Sequence, residues 1–160
     1  MKKNEKDHKA KTIINSKKEI IKLLNQALKL EQAARIQYLS HAELVDGLNS
    51  EPIIARLQEL AGDEKEHEEK FRKLIGDFLG GEPTMEIAQT HSAQSIEEIL
   101  RVNLRGEKEA VDIYMEILAK IKEEKDNLPY EFLTLEHEVR HIIMDEQEHI
   151  TELKNLLGEK

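Results

Sequence analysis

The chain has 160 residues, 36% of them charged and 4% aromatic, with three prolines, seven glycines, no cysteine and a net charge of −9. That length suits one domain with a sizeable core, and a mix dominated by Leu, Ile, Ala, Glu and Lys favours helix over a β-rich fold. Lack of cysteine excludes disulfides and thiolate metal sites, no stretch approaches a membrane span, and Met1-Lys2-Lys3-Asn4-Glu5 is not followed by the apolar run of a signal peptide, so a cytoplasmic protein with no membrane partner is expected.

Charge is uneven along the chain. Residues 1–18 hold seven lysines against Glu5 and Asp7, a balance of +5 that leaves −14 on the remainder. Residues 1–15 show no sustained period and are expected to form a flexible Lys-rich amino-terminal tail ahead of a domain spanning residues 16–158. Such a tail could meet DNA phosphates, although it lacks the aromatics that would stack on bases. The acidic body suits metal cations better than nucleic acid.

From about Ser16 to Asp46 the helical period is clear. Ile20, Leu24, Ala27, Glu31, Ala34, Tyr38, Ala42 and Val45 share a face, and Gly47 is a natural stop. Tyr38 lies two turns beyond Glu31, where its hydroxyl could reach a metal-site group or simply pack in the core. Ser50-Glu51-Pro52 reads as the start of a second helix with Ser50 as N-cap. That helix runs to about Leu79, with the stripe Ile53, Leu57, Leu60, Glu64, His67, Phe71, Ile75 and Phe78.

Residues 80–94 form the longest non-periodic segment, a crossover long enough to make the second and third helices parallel. Thr84-Met85-Glu86-Ile87-Ala88 is expected to add a short helical turn within it. Ser95-Ile96-Glu97-Glu98 is a capping box opening a third helix to about Lys125, with Ile96, Leu100, Asn103, Glu107, Val111, Tyr114, Leu118 and Ile121 on one face. Glu109 falls toward solvent. Pro129 opens a fourth helix ending near Leu157-Gly158, whose stripe is Phe132, Leu135, Val139, Ile142, Glu146, His149, Leu153 and Leu156. His137 and His141, four apart, fall on its surface and could pick up a stray divalent ion. His8, His41 and His91 fit no pattern. The fold class is all-α: an antiparallel four-helix bundle with a long crossover between helices 2 and 3.

Each stripe carries a carboxylate near its middle, and two carry Glu-x-x-His. Glu31, Glu64, His67, Glu107, Glu146 and His149 can therefore meet at one level of the bundle. Four carboxylates cannot stay ionised in a dry core without cations, and two divalent metals carry the balancing charge. Arg35 and Arg105 flank this level but lie off the metal-side faces. An oxygen-rich N/O donor set suits iron or manganese, with open positions for dioxygen or peroxide.

The pattern resembles the ferritin-like di-iron superfamily, most of all bacterioferritin and bacterioferritin-like Dps proteins, over about residues 17–157. Glu31 with Gln37-Tyr38 is similar to the family's first helix, Ile99-Leu100-Arg101 and Glu107 to its third, and Asp145-Glu146-Gln147-Glu148-His149-Ile150 to its fourth. The resemblance implies a ferroxidase centre of two iron ions per subunit, with manganese or zinc able to substitute. Glu31 and His67 would hold one ion, Glu107 and His149 the other, and Glu64 and Glu146 would bridge. It implies oxidation of Fe(II) by dioxygen or peroxide, with ferric mineral stored inside a homo-oligomeric cage. Alternatives are a non-storing di-iron or di-manganese peroxidase and a Dps-like DNA-protecting protein. Lys65 stands where the family's haem-ligating methionine would be, so no haem is expected. Only eleven residues follow His149 where bacterioferritin has a fifth helix, which favours a dodecamer over a 24-mer.

Overall fold

The computed structural model describes residues 2–48 and 50–159, without the side chains of residues 2–7. Four long helices dominate: α1 (Lys2–Ala42), α2 (Ser50–Lys73), α3 (Ile96–Glu123) and α4 (Phe132–Leu157). α1 packs chiefly on α2, and α3 on α4. No strand occurs among the described residues.

The core is split in two. One apolar cluster joins Ile20, Leu24 and Leu28 of α1 to Phe71 of α2, Ile117 and Ile121 of α3, and Leu135, Val139 and Ile142 of α4. The other joins Tyr38 and Ala42 of α1 to Leu57 and Leu60 of α2, Ile99 and Leu100 of α3, and Leu153 of α4. The stretch of α1 around residues 20–28 thus meets the second halves of α2 and α3 and the first half of α4. α2 and α3 are parallel, as the crossover requires, and the stripe midpoints fall between the two clusters.

The first helix begins at Lys2 rather than Ser16, so the expected boundary between tail and bundle lies inside a continuous helix. Residues 2–15 contain neither Gly nor Pro, and once the packed part nucleates the helix nothing stops its propagation. Over residues 8–15 only Ile13 is even half-buried, and for that reason the apolar period is missing there. Asn49, in the α1–α2 connection, lies outside the described residues. α4 starts at Phe132, three residues after Pro129, with residues 125–127 in a 3₁₀ turn and Phe132 N–H donating to the Leu128 carbonyl at 3.0 Å.

α2 ends in a π-helical turn, Leu74–Phe78, and Gly80, at φ 66°, reverses the chain. The crossover is an extended strap along α1, and the helical turn expected at residues 84–88 does not form. Its backbone groups are taken by α1 instead: Asn25 Nδ2 donates to the Glu82 carbonyl (3.0 Å), Thr84 N–H to Asn25 Oδ1 (2.7 Å), Gln32 Nε2 to the Glu86 carbonyl (2.7 Å) and Ala88 N–H to the Lys29 carbonyl (3.0 Å). Gly81 begins the strap against α1; a Cβ there would stand 2.8–3.0 Å from three atoms of Ile21. Gly81→Ala is expected to lower stability by about 1–3 kcal/mol through overpacking, read as a lower urea midpoint. The capping box at Ser95 forms in modified shape: Ser95 Oγ accepts from Glu98 N–H, while Glu98 accepts from Gln94 N–H.

Candidate metal centre

Glu31, Glu64, His67, Glu107, Glu146 and His149 come together between the two apolar clusters, each at most 3% exposed. In α2 and α4 the three-residue spacing puts Glu and His on one face. His67 Nδ1 lies 3.0 Å from Glu146 Oε1 and 3.5 Å from both Glu31 Oε2 and Glu64 Oε2. His149 Nδ1 lies 2.9 Å from Glu146 Oε2, 3.3 Å from Glu64 Oε1 and 4.0 Å from Glu107 Oε1. The donors divide into two groups, Glu31–Glu64–His67–Glu146 and Glu64–Glu107–Glu146–His149, each with its ligand atoms within 4.8 Å of one another. Glu64 and Glu146 belong to both.

The electrostatics of the cluster favour cations. Burial, then Glu146 and Glu31, pushes the Glu64 carboxyl well above its ordinary range; burial, then Glu64 and Glu146, does the same to Glu107. Burial opposes charge on His67 and His149, but the surrounding carboxylates win and raise both imidazoles toward the cation. Glu146, between them, is held low, in spite of its burial, by the hydrogen bond it shares with His149 and by the charge of His67 beside it. Five buried polar atoms at the centre have no hydrogen-bond partner: Glu31 Oε2, both oxygens of Glu64, His67 Nδ1 and Glu146 Oε1. Buried polar atoms are nearly always partnered. Orphans of this type, convergent and all oxygen or imidazole nitrogen, fit hard or borderline divalent metals.

A family model described as a ferritin-like domain matches residues 21–160. The chain belongs to the ferritin-like family. Among solved structures, this ferritin-like chain is similar to a ferritin-like, diiron-carboxylate protein from Bacillus anthracis, with a TM-score of 0.81, 26% identity, and coverage of 89% of this chain and 97% of that one. It is also similar to a bacterioferritin from Rhodobacter capsulatus with a metal-free dinuclear site and haem iron, with a TM-score of 0.79, 25% identity, and coverage of 88% and 84%. No curated protein sequence matches the chain.

Several supports reach the centre from neighbouring helices, and of their side chains the stripe pattern marks Tyr38 alone for such a role. Tyr38 donates its hydroxyl to Glu107 Oε1, and Tyr114 donates to Glu31 Oε1 at 2.6 Å. Each tyrosine follows a site glutamate by seven residues on one helix and serves the glutamate of the other. Burial, then the carboxylates, pushes both phenols well above their ordinary value, so they stay protonated donors. Asp145 Oδ2 lies 3.3 Å from His67 Nε2, and Asp63 Oδ2 lies 3.4 Å from His149 Nε2. Carboxylates on the far nitrogens orient imidazole ligands. The signal was in the chain: Asp-Glu-x-x-His occurs at residues 63–67 and again at 145–149.

Glu68, also buried, is paired with Arg35 at 2.5 Å and Arg72 at 2.6 Å, which explains why Arg35 leaves the centre alone. Arg105 is exposed. His41, without a pattern in sequence, is buried; Asn103 Nδ2 donates to its Nδ1 at 3.0 Å and its Nε2 donates to the His91 carbonyl at 3.0 Å. Gln37 donates to Asn103 Oδ1 (2.9 Å) and accepts from His91 N–H (2.6 Å), so this network clasps the end of the strap to α1 and α3. Lys65 is exposed and lies 3.8 Å from Glu69.

Two cavities flank the centre. One, of about 220 Å³ between α1 and α3 beneath the strap, exposes Glu31, Glu64, Glu107, Glu146, Tyr38 and Tyr114. The other, of about 210 Å³ between α2 and α4, is acidic: Asp63, Glu66, Asp145, Glu148 and Glu152 line it with Arg56 and the backs of the two imidazoles. No helix of the described residues is long and apolar enough to cross a membrane.

Proposed function

We propose that the protein is a ferroxidase that oxidises Fe(II) with dioxygen or peroxide at the six-residue centre and stores the ferric product as mineral within a homo-oligomeric cage. The observation that supports this most directly is the pair of donor groups sharing Glu64 and Glu146. Two Fe(II) ions side by side are substrates that together give up two electrons, which matches the two-electron reduction of either oxidant. In this reading Glu31 and His67 hold one ion, Glu107 and His149 the other, and Glu64 and Glu146 bridge them. Asp145 and Asp63 keep each imidazole turned so that Nδ1 faces inward. The tyrosine hydroxyls fix Glu107 and Glu31, leaving a second oxygen on each carboxylate free for metal. Protons resident on Glu64, Glu107, His67 and His149 must leave as metal enters, because ligands bind deprotonated.

Anaerobic Fe(II) followed by air tests the oxidation: a fast ferric absorbance phase is expected to saturate at about two irons per chain. Storage makes a separate demand, since released ferric ions precipitate in water and a closed shell is needed to hold them. Light scattering of the metal-free protein is expected to give about 222 kDa for twelve chains of 18.5 kDa, as against about 444 kDa for twenty-four. A stable dimer would remove the storage reading and leave a non-storing di-iron or di-manganese peroxidase.

A further inference from the structure

Apart from the centre, one pair of metal-ligating side chains has no task in the fold. His137-Glu138-Val139-Arg140-His141 on α4 places two histidines four residues apart, on one face of the helix. Val139 is fully buried, which turns the histidines outward: His137 is exposed and His141 half-buried. Their ring centroids are 4.3 Å apart with a tilt of 54°. Arg140 is engaged by Glu136 at 3.1 Å, and among the described residues neither imidazole makes a hydrogen bond or an ion pair.

Two imidazoles one turn apart on a helix are the chelating unit of helical zinc motifs. We infer that His137 and His141 form a second metal site, separate from the buried centre, that takes one borderline divalent cation of the Zn²⁺ or Cu²⁺ class in bidentate fashion. Imidazole donors select that class over Mg²⁺ or Ca²⁺, which prefer all-oxygen sites. His-Glu-x-x-His also matches the helix of zinc hydrolases, but those add a third protein ligand. Among the described residues, sets of three or more converging ligands occur only at the buried centre. The ion therefore keeps several positions for water. It lies one turn from Asp145, a residue of the acidic α2/α4 cavity, so a captured ion sits beside that opening.

Calorimetric titration of the metal-free protein with Zn²⁺ tests the inference. The double variant His137→Ala/His141→Ala is expected to bind about one zinc ion fewer per chain than the unsubstituted protein, and each single variant to weaken that ion at least about tenfold. Glu64→Ala, which disables the buried centre, is expected to keep it. In a parallel NMR titration, the His137 and His141 ring signals of the Glu64→Ala variant should move with the first zinc equivalents. Equal stoichiometry in the unsubstituted and double-variant proteins, or unmoved ring signals, overturns the site. Iron oxidation should be the same in the double variant, so failure here and failure of the ferroxidase reading give different results.

Discussion

Glu64→Ala and His149→Ala are each expected to slow the fast phase of Fe(II) oxidation by at least about 100-fold, since each removes a ligand where even an outer partner of a metal ligand is worth about 10–100-fold. Glu64 contributes to both donor groups, so its loss disables both ion positions. His149 belongs to one group alone, so its variant should still bind one ion but should not deliver two electrons together. Asp145→Ala, which leaves every ligand in place but frees His67 Nε2, is expected to fall between, with activity reduced about 10–100-fold. Stopped-flow absorbance after mixing the anaerobic Fe(II)-loaded protein with air ranks the three. Folding is checked by far-UV circular dichroism, which should show unchanged helix. If the fast phase survives both ligand substitutions, the centre is not where oxidation occurs.

The bundle and its six converging residues were legible in the sequence because both depend on one period. A carboxylate in an apolar stripe is costly wherever the stripe is buried, so Glu31, Glu64, Glu107 and Glu146 announced themselves residue by residue. What failed to show depends on partners across helices. Tyr114 stands on the α3 stripe with nothing to set it apart there; its task comes from Glu31 on α1, to which its hydroxyl donates. Glu68 lies close to the phase of Glu64 and is buried, yet only Arg35 and Arg72, arriving from α1 and from the next turn, explain how it is tolerated. His41 has no helical partner because its partners are Asn103 on α3 and a carbonyl of the strap. The strap itself misled: residues 84–88 have fair helix propensity, but side chains of α1 claim their backbone groups first. Local propensity is a weak prior against such tertiary competition.

The second large effect concerns stability, and bound metal opposes it. In the metal-free protein Glu64, Glu107, His67 and His149 all have folded-state pKa values above their ordinary values of 4.5 and 6.5. For a raised group the stabilising proton is fully present below the unfolded value and is lost as pH rises through the folded one. Glu146 is depressed and acts oppositely, but its contribution is lost only in strong acid. Between about pH 6 and 9 the metal-free melting temperature is therefore expected to fall as pH rises. Zinc, which is redox-inert, must displace those same protons, so its affinity rises with pH. At a thousandfold excess over its dissociation constant one ion adds about 4 kcal/mol, on the order of 10 °C for a chain of this size. The gap between zinc-loaded and metal-free melting temperatures should widen from pH 6 to pH 8. Glu64→Leu gives the complementary control. Replacing one buried acid of a crowded set with an apolar side chain is expected to stabilise the metal-free bundle by about 1–4 kcal/mol, flatten its pH dependence and remove most of the response to zinc. A metal-free melting temperature that climbs with pH, or a Glu64→Leu variant less stable than the parent without metal, would show that the four carboxylates are not held together at the expense of the fold.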